Sequence, residues 1–179
     1  MKRAAALLFL IIVACRSSKP AGVETAVTAP SNSPERSLMR IRATSGDKTQ
    51  SFRAQLHASP DAMLLTAYTP LGTSAFRMYA SGDRVVFLND VENTTWSGTP
   101  AQFASSFGFF GDATPVAMAQ RILGQTRDGD AETFPPKHVT ITRGPYRLEI
   151  EHLESVYTTA PVEEPKVPRN YRCCVPPRL

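Results

Sequence analysis

The chain has 179 residues, 42% of them hydrophobic and 20% charged, with a formal net charge of +4. That composition suits one soluble domain of modest size and excludes collagen-like, coiled-coil and wholly disordered chains. Lys2 and Arg3 precede an apolar leader; without them 18 basic residues (20 less 2) face 16 acidic ones, an excess too small to point to nucleic acid. Fifteen prolines and three cysteines imply short, loop-joined segments and exclude a disulfide scaffold.

Met1-Lys2-Arg3, the uncharged run Ala4 to Ala14 and then Cys15 form the layout of a secretory signal. The run falls short of the ~20 apolar residues that a membrane-crossing helix needs, so residues 1–14 are expected to be a cleaved signal peptide. Ile12-Val13-Ala14-Cys15 resembles the bacterial lipobox, whose cysteine receives a diacylglyceryl group and becomes the first residue. On that likeness Cys15 is the lipid attachment site. At ~0.8 kcal/mol per buried methylene, two or three acyl chains make such an anchor effectively permanent. Arg16, in place of an Asp after the cysteine, favours the outer membrane of the bacterial envelope, with the domain facing the periplasm. Residues 15–37 hold Ser17, Ser18, Pro20, Gly22, Pro30, Ser31, Asn32, Ser33 and Pro34 without apolar periodicity and read as a lipid-anchored flexible tether. Some twenty such residues hold a domain about 25 Å off a surface.

From Leu38 the period becomes two. Met39, Ile41 and Ala43 alternate with arginines and Thr44, and Phe52, Ala54, Leu56 and Ala58 alternate with polar residues, with Ser45-Gly46-Asp47-Lys48 as the turn between two half-buried strands. Further strands follow over Ala62 to Tyr68, Ala75 to Tyr79, Arg84 to Leu88 and Thr94 to Ser97. Six consecutive antiparallel strands at this spacing predict a meander curling toward a barrel. Thr99-Pro100 and Gly108 then bracket one short helix, and Thr114-Pro115 and Gly124 another, in which Val116, Ala119, Ile122 and Leu123 share a face. After the polar loop 125–137 come strands at His138 to Thr142 and Tyr146 to His152, with Val156-Tyr157 as a possible further one. Pro161, Pro165, Pro168, Pro176 and Pro177 exclude regular structure from a Pro-rich tail over residues 161–179, which leaves residues 38–160 as the folded body.

The sequence lacks the G-x-S-x-G, H-E-x-x-H, P-loop and G-x-G-x-x-G patterns, so no enzyme activity, metal or cofactor is expected. His57, His138 and His152 fall on separate strands, and the opposite phases of His57 and His152 predict one solvent-facing and one partly buried ring. Glu149, Glu151 and Glu154 read as solubilising charge on a wet strand face. Cys173-Cys174 is the sharpest oddity: a strained ring, a bridge to another chain, a soft-metal site and an inert tail all remain open. In Tyr68-Thr69-Pro70-Leu71-Gly72, Pro70 and Gly72 pin a tight reversal that puts Leu71 at its tip, either to insert into a bilayer or partner or to fold back on Phe76 or Tyr68.

Leu64-Leu65-Thr66 through Pro70-Leu71-Gly72-Thr73, and Arg121-Ile122-Leu123-Gly124 running into Gly129-Asp130-Ala131, resemble the LolA/LolB family of periplasmic lipoprotein carriers and receptors, in particular the outer-membrane receptor type, LolB. The lipobox and the order of strands, helices and strands agree with it over roughly residues 38–160. The resemblance implies a mainly β, α+β fold: a curled antiparallel sheet forming an unclosed barrel, with short helices as a lid over an apolar cavity. It implies acyl chains of lipoproteins as ligand, a periplasmic carrier protein as partner and Leu71 as the protruding group that helps deliver cargo to the membrane. The cavity is expected to be lined by Phe52, Leu56, Met63, Leu65, Phe76, Met78 and Phe87. A monomer that transports or holds lipoproteins without an energy source is one expectation; a structural or envelope-assembly lipoprotein, whose sheet face packs on a protein, is the other.

Overall fold

The computed structural model describes residues 35–107, 114–124 and 136–173. The signal peptide, Cys15, nearly all of the tether, most of the polar loop and Cys174 lie outside the described residues. The elements are β1 (Glu35–Ser45), β2 (Lys48–Ala58), β3 (Ala62–Tyr68), β4 (Ser74–Ser81), β5 (Arg84–Asn89), β6 (Thr94–Gly98), α1 (Pro100–Phe107), α2 (Pro115–Leu123), β7 (His138–Arg143), β8 (Tyr146–Tyr157) and β9 (Arg172–Cys173).

The nine strands form one sheet in the order β7-β8-β1-β2-β3-β4-β5-β6-β9. Hairpin turns make β1 to β6 an antiparallel meander, as the alternation predicts, and β8 returns to pair with β1. The last pair, β6 with β9, is parallel, so the sheet is mixed rather than purely antiparallel, and it is not closed into a barrel. β1 starts at Glu35, three residues before the expected Leu38, because β8 continues through a bulge to Tyr157 and pairs with Glu35, Arg36 and Ser37. Val156 and Tyr157 therefore extend β8 and form no strand of their own.

Alternation gives the sheet two faces. On one, the register aligns Ala58, Met63, Ala80 and Val85 in a row, and Leu56, Leu65, Met78 and Phe87 in the next. The buried members pack with Phe103 of α1 and with Met118, Ala119 and Leu123 of α2. Alanines at positions 54, 58 and 80 keep this face low enough for helix backbones to approach. Both helices begin as their Thr-Pro pairs predict. Thr99 and Gln102 cap each other reciprocally at 2.9 and 3.3 Å, and Thr114 Oγ1 accepts from the Ala117 N–H at 3.2 Å. Gly124, at φ 78°, ends α2 in the left-handed conformation.

The other face divides in two. Along β1 and β8 it is wet and ionic, with Arg40 to Glu151 at 2.8 Å and Arg147 to Glu149 at 2.7 Å. On β5, Val86 and Leu88 alternate with Val85 and Phe87, so they point away from the helices, yet they are 1% and 0% exposed. What covers them is the Pro-rich segment. Glu164 pairs with Arg84 at 2.9 Å, Tyr171 donates to Asp90, and the Arg172 N–H donates to the Asn93 carbonyl at 2.9 Å. Half-buried Val162, Pro165, Pro168 and Tyr171 recur every third residue, the period of a polyproline II helix.

The expectation of a tail without regular structure is thus corrected. Prolines exclude helix and central strand, but they pre-set the extended conformation in which a strap can lie on a sheet at reduced entropic cost. At its end Arg172 and Cys173 pair with Thr94 and Thr95 and cover part of the β6 edge.

Removing the carboxylate that anchors the strap, by Asp90→Ala, is expected to lower stability by about 2–4 kcal/mol. Urea unfolding measures this, with limited proteolysis at residues 158–171 as the local readout. An unchanged midpoint would show that the strap is held by something else.

Candidate functional site

The β3–β4 turn follows from its sequence. The Gly72 N–H donates to the Thr69 carbonyl at 2.9 Å and the Thr69 N–H to the Thr73 carbonyl at 2.8 Å, while the two threonine hydroxyls meet at 2.8 Å across the base. Pro70 pre-sets the second turn position, and Gly72 supplies the left-handed residue, φ 82°, with which the chain re-enters β4. Leu71 is left at the tip, 91% exposed. Of its two fates, folding back on Phe76 or Tyr68 is ruled out by that exposure.

A second turn lies beside it. Asn89 Oδ1 accepts the Val91 and Glu92 N–H groups, both at 3.1 Å, and Asn93 takes a left-handed φ of 53°. Val91 stands out at 65% exposure. The residue between Asn89 and Val91 joins the two turns. The Asp90 N–H donates to the Ala75 carbonyl at 2.9 Å, and its carboxylate accepts from Ser74, from Arg77 Nε at 3.0 Å and Nη2 at 2.7 Å, and from the Tyr171 hydroxyl. Burial pushes the Asp90 carboxyl up, but the bonds from Arg77, Ser74 and Tyr171 outweigh it and hold the group below the usual carboxylate range.

All seven residues expected to line a cavity share the helix-bearing face. They differ in exposure: Leu56, Met63 and Met78 are buried in the core with the helices, whereas Phe52, Leu65, Phe76 and Phe87 are only half-buried. Three of the latter form a diagonal aromatic stripe over β2, β4 and β5. Phe52 meets Phe76 edge-on at 6.1 Å, and Phe76 stacks on Phe87 at 5.5 Å. Phe103 of α1 continues it, 6.4 Å from Phe87 and 5.7 Å from Trp96.

The expectation of one solvent-facing histidine is corrected: His57 and His152 are both buried. They do point to opposite faces of the sheet, but the strap reaches His57, which shares a hydrogen bond with the backbone of Ala160. His152 Nε2 lies 3.2 Å from the Ile122 carbonyl, which fixes it as the donor. Its Nδ1 then accepts from Ser37 Oγ at 2.7 Å, and Ser155 donates to Ser37 at 2.8 Å. Ser37 is wholly buried, so this Ser-His pair ties β1, β8 and the end of α2 together and offers no surface nucleophile. Burial lowers both histidine pKa values, with Arg36 adding to the effect at His57 and His138 at His152, against the raising effect of the Ala160 and Ile122 bonds.

Glu149 and Glu151 line a groove with Arg40, Arg42, His138 and Thr140, where cations and anions offset one another. Glu154, exposed on the same strand, adds to the surface charge. Among the described residues no group of three or more His, Cys, Asp or Glu is placed to hold a metal ion, and no helix is long and apolar enough to cross a membrane. Cys173 is disulfide-bonded; Cys174 lies outside the described residues. Asp90, Tyr171 and Val91 are the members of the site that patterning misses, since Asn89 to Asn93 reads as a polar turn and Tyr171 sits among prolines. Models of known protein families and curated proteins, compared with this sequence, give no match.

A histidine whose folded pKa lies below its unfolded value near 6.5 contributes stability that is fully present above that value and is lost as pH falls beneath it. Melting temperature is therefore expected to hold between pH 7 and 8 and to drop by pH 5. His57→Leu, which removes one of the two buried rings, should flatten the drop; an unaltered profile would assign the acid sensitivity to other groups.

Proposed function

We propose that this protein is a non-enzymatic, lipid-anchored receptor of the bacterial outer membrane, facing the periplasm, that binds acyl chains on its helix-bearing face and takes part in lipoprotein localisation. The observation that carries the reading is the continuity of apolar surface. A stripe of half-buried Phe52, Phe76 and Phe87 leads toward the sheet end where Leu71 is almost wholly exposed. The likeness to the LolA/LolB family supports it through the Pro70-Leu71-Gly72 turn and the Ile12-Val13-Ala14-Cys15 lipobox.

On this reading the sheet is the wall of an unclosed barrel and α1 and α2 are its lid. Acyl chains pass from a periplasmic carrier to the aromatic stripe by partition. Each methylene moves between apolar sites of nearly equal free energy, so direction comes from differences in affinity along the route and not from a chemical step. Leu71 enters the periplasm-facing leaflet of that membrane and shortens the path by which cargo leaves. The protein acts as a monomer without cofactor.

A second reading, an envelope-assembly lipoprotein, has its own observation. Leu153, Val156 and Tyr157 are 39%, 48% and 37% exposed on the stretch of β8 that extends beyond its pairing with β7. There a protein partner would bind and the aromatic stripe would serve as core alone.

A chain beginning at Arg16, and so without the anchor, is expected to bind a fluorescent fatty acyl probe saturably, with Phe76→Asp weakening the affinity by about tenfold or more. Leu71→Glu should leave probe binding and melting temperature unchanged and reduce liposome association. Absence of saturable probe binding would dismiss the receptor reading in favour of the second.

A further inference from the structure

The turns bearing Leu71 and Val91 lie at the end of the sheet opposite to the chain's entry. Glu35, Ala58 and Met63 form one row across β1, β2 and β3, and Leu71 is eight residues further along the β3–β4 hairpin, about 25 Å at ~3.3 Å per residue. The β5–β6 turn belongs to the same end, since Asp90 bonds to Ser74, Ala75 and Arg77 at the start of β4. Leu71 and Val91 are the two most exposed large hydrophobic residues among those described. One carboxylate braces both turns, so the two tips form a unit. Two side chains that enter an apolar phase together lose rigid-body freedom once while both are buried.

Such a pair of separate aliphatic tips suits a fluid lipid surface, which needs no complementary shape, better than a protein, which does. Chain length says which surface is within reach. Twenty peptide steps separate Cys15 from Glu35, up to about 68 Å when fully extended, more than twice the ~25 Å from Glu35 to the Leu71 turn. We propose that this two-tipped rim, Leu71 together with Val91, docks on the same lipid surface that holds the chain's own acyl anchor, with the body turns-down. The inference rests on reading Cys15 as lipid-attached, and it adds to the proposed function a second lipid contact, a fixed orientation and a minimum length for residues 16–34.

The test uses the acylated full chain in vesicles, with Leu71→Trp as a reporter quenched by brominated lipids above the constant signal of Trp96, the single native tryptophan. Brominated lipid in the host vesicles should quench the reporter, and brominated lipid confined to separate vesicles should not. Deleting residues 18–31 leaves six peptide steps (20 less 14), about 20 Å at most, too short for the ~25 Å span. That chain should stay on the vesicles and lose the quenching. Val91→Asp, with an unchanged melting temperature, should lower the docked fraction about tenfold. Quenching that survives the deletion, that comes from separate vesicles, or that is absent in the full chain overturns the docking geometry, and an unchanged docked fraction in Val91→Asp overturns the second contact. Vesicle flotation of Cys15→Ala judges the anchor reading separately: loss of flotation supports it, and retention removes the basis of the inference.

Discussion

A carboxylate taken out of water must be repaid with donors, and at Asp90 those donors come from parts of the chain that the sheet alone would leave independent. Ser74 and Arg77 belong to β4, Tyr171 to the strap, and Asp90 itself opens the β5–β6 turn. An unpaired charge at this depth costs several kcal/mol, more than the net worth of any one of its hydrogen bonds. The asymmetry makes the group cooperative: losing one donor weakens the carboxylate's hold on the rest. Two turns and the C-terminal segment are thereby held in one arrangement.

The strap exists because the second face of the sheet is chemically uneven. Where β1 and β8 expose Arg40, Arg42, Glu149 and Glu151, water is a sufficient partner. Where β5 presents Val86 and Leu88, it is not, since burying such a pair is worth ~3–6 kcal/mol. A Pro-rich segment suits that task. It brings little backbone entropy to lose, needs no hydrogen-bonded partner along its length, and turns every third side chain toward the surface beneath it. The turn at Pro168–Tyr171 then reverses the chain, which lets Arg172 and Cys173 pair with β6 in parallel and shield a sheet edge.

These features also explain what the sequence discloses and what it hides. The meander is legible because each strand alternates and each turn holds Gly, Asp, Asn or Pro; the helices are legible because Thr-Pro opens both, and Leu71 because a leucine at a Pro-Gly reversal is out of place. Periodicity even assigns His57 and His152 to opposite faces correctly. It misjudges the burial of His57 because the covering strap lies a hundred residues away and has no apolar period of two or 3.6. Asp90 fails to stand out for the same reason, its partners being 13, 16 and 81 residues distant. The first residues of β1 are polar, and pairing with β2 on one side and the end of β8 on the other places Glu35 and Ser37 in the interior.

The helix-bearing face carries a tension that bears on how it would hold a ligand. Helices of eight and nine residues are marginal by themselves and depend on tertiary contacts. Those of α2 include polar anchors at its C-terminal half, where Ile122 accepts from His152 and Gln120 donates to the Pro60 carbonyl at 2.8 Å. α1 relies on Phe103 against Phe87 and Trp96. A ligand that spreads along the aromatic stripe would therefore compete for Phe87 with α1 while leaving the bonds of α2 intact. On the acyl-chain reading α1 is the part of the lid that yields. Phe52 and Phe76, half-buried and, among the described residues, without a helix residue in their ring pairs, are the surface a chain would cover first on its way from the Leu71 end.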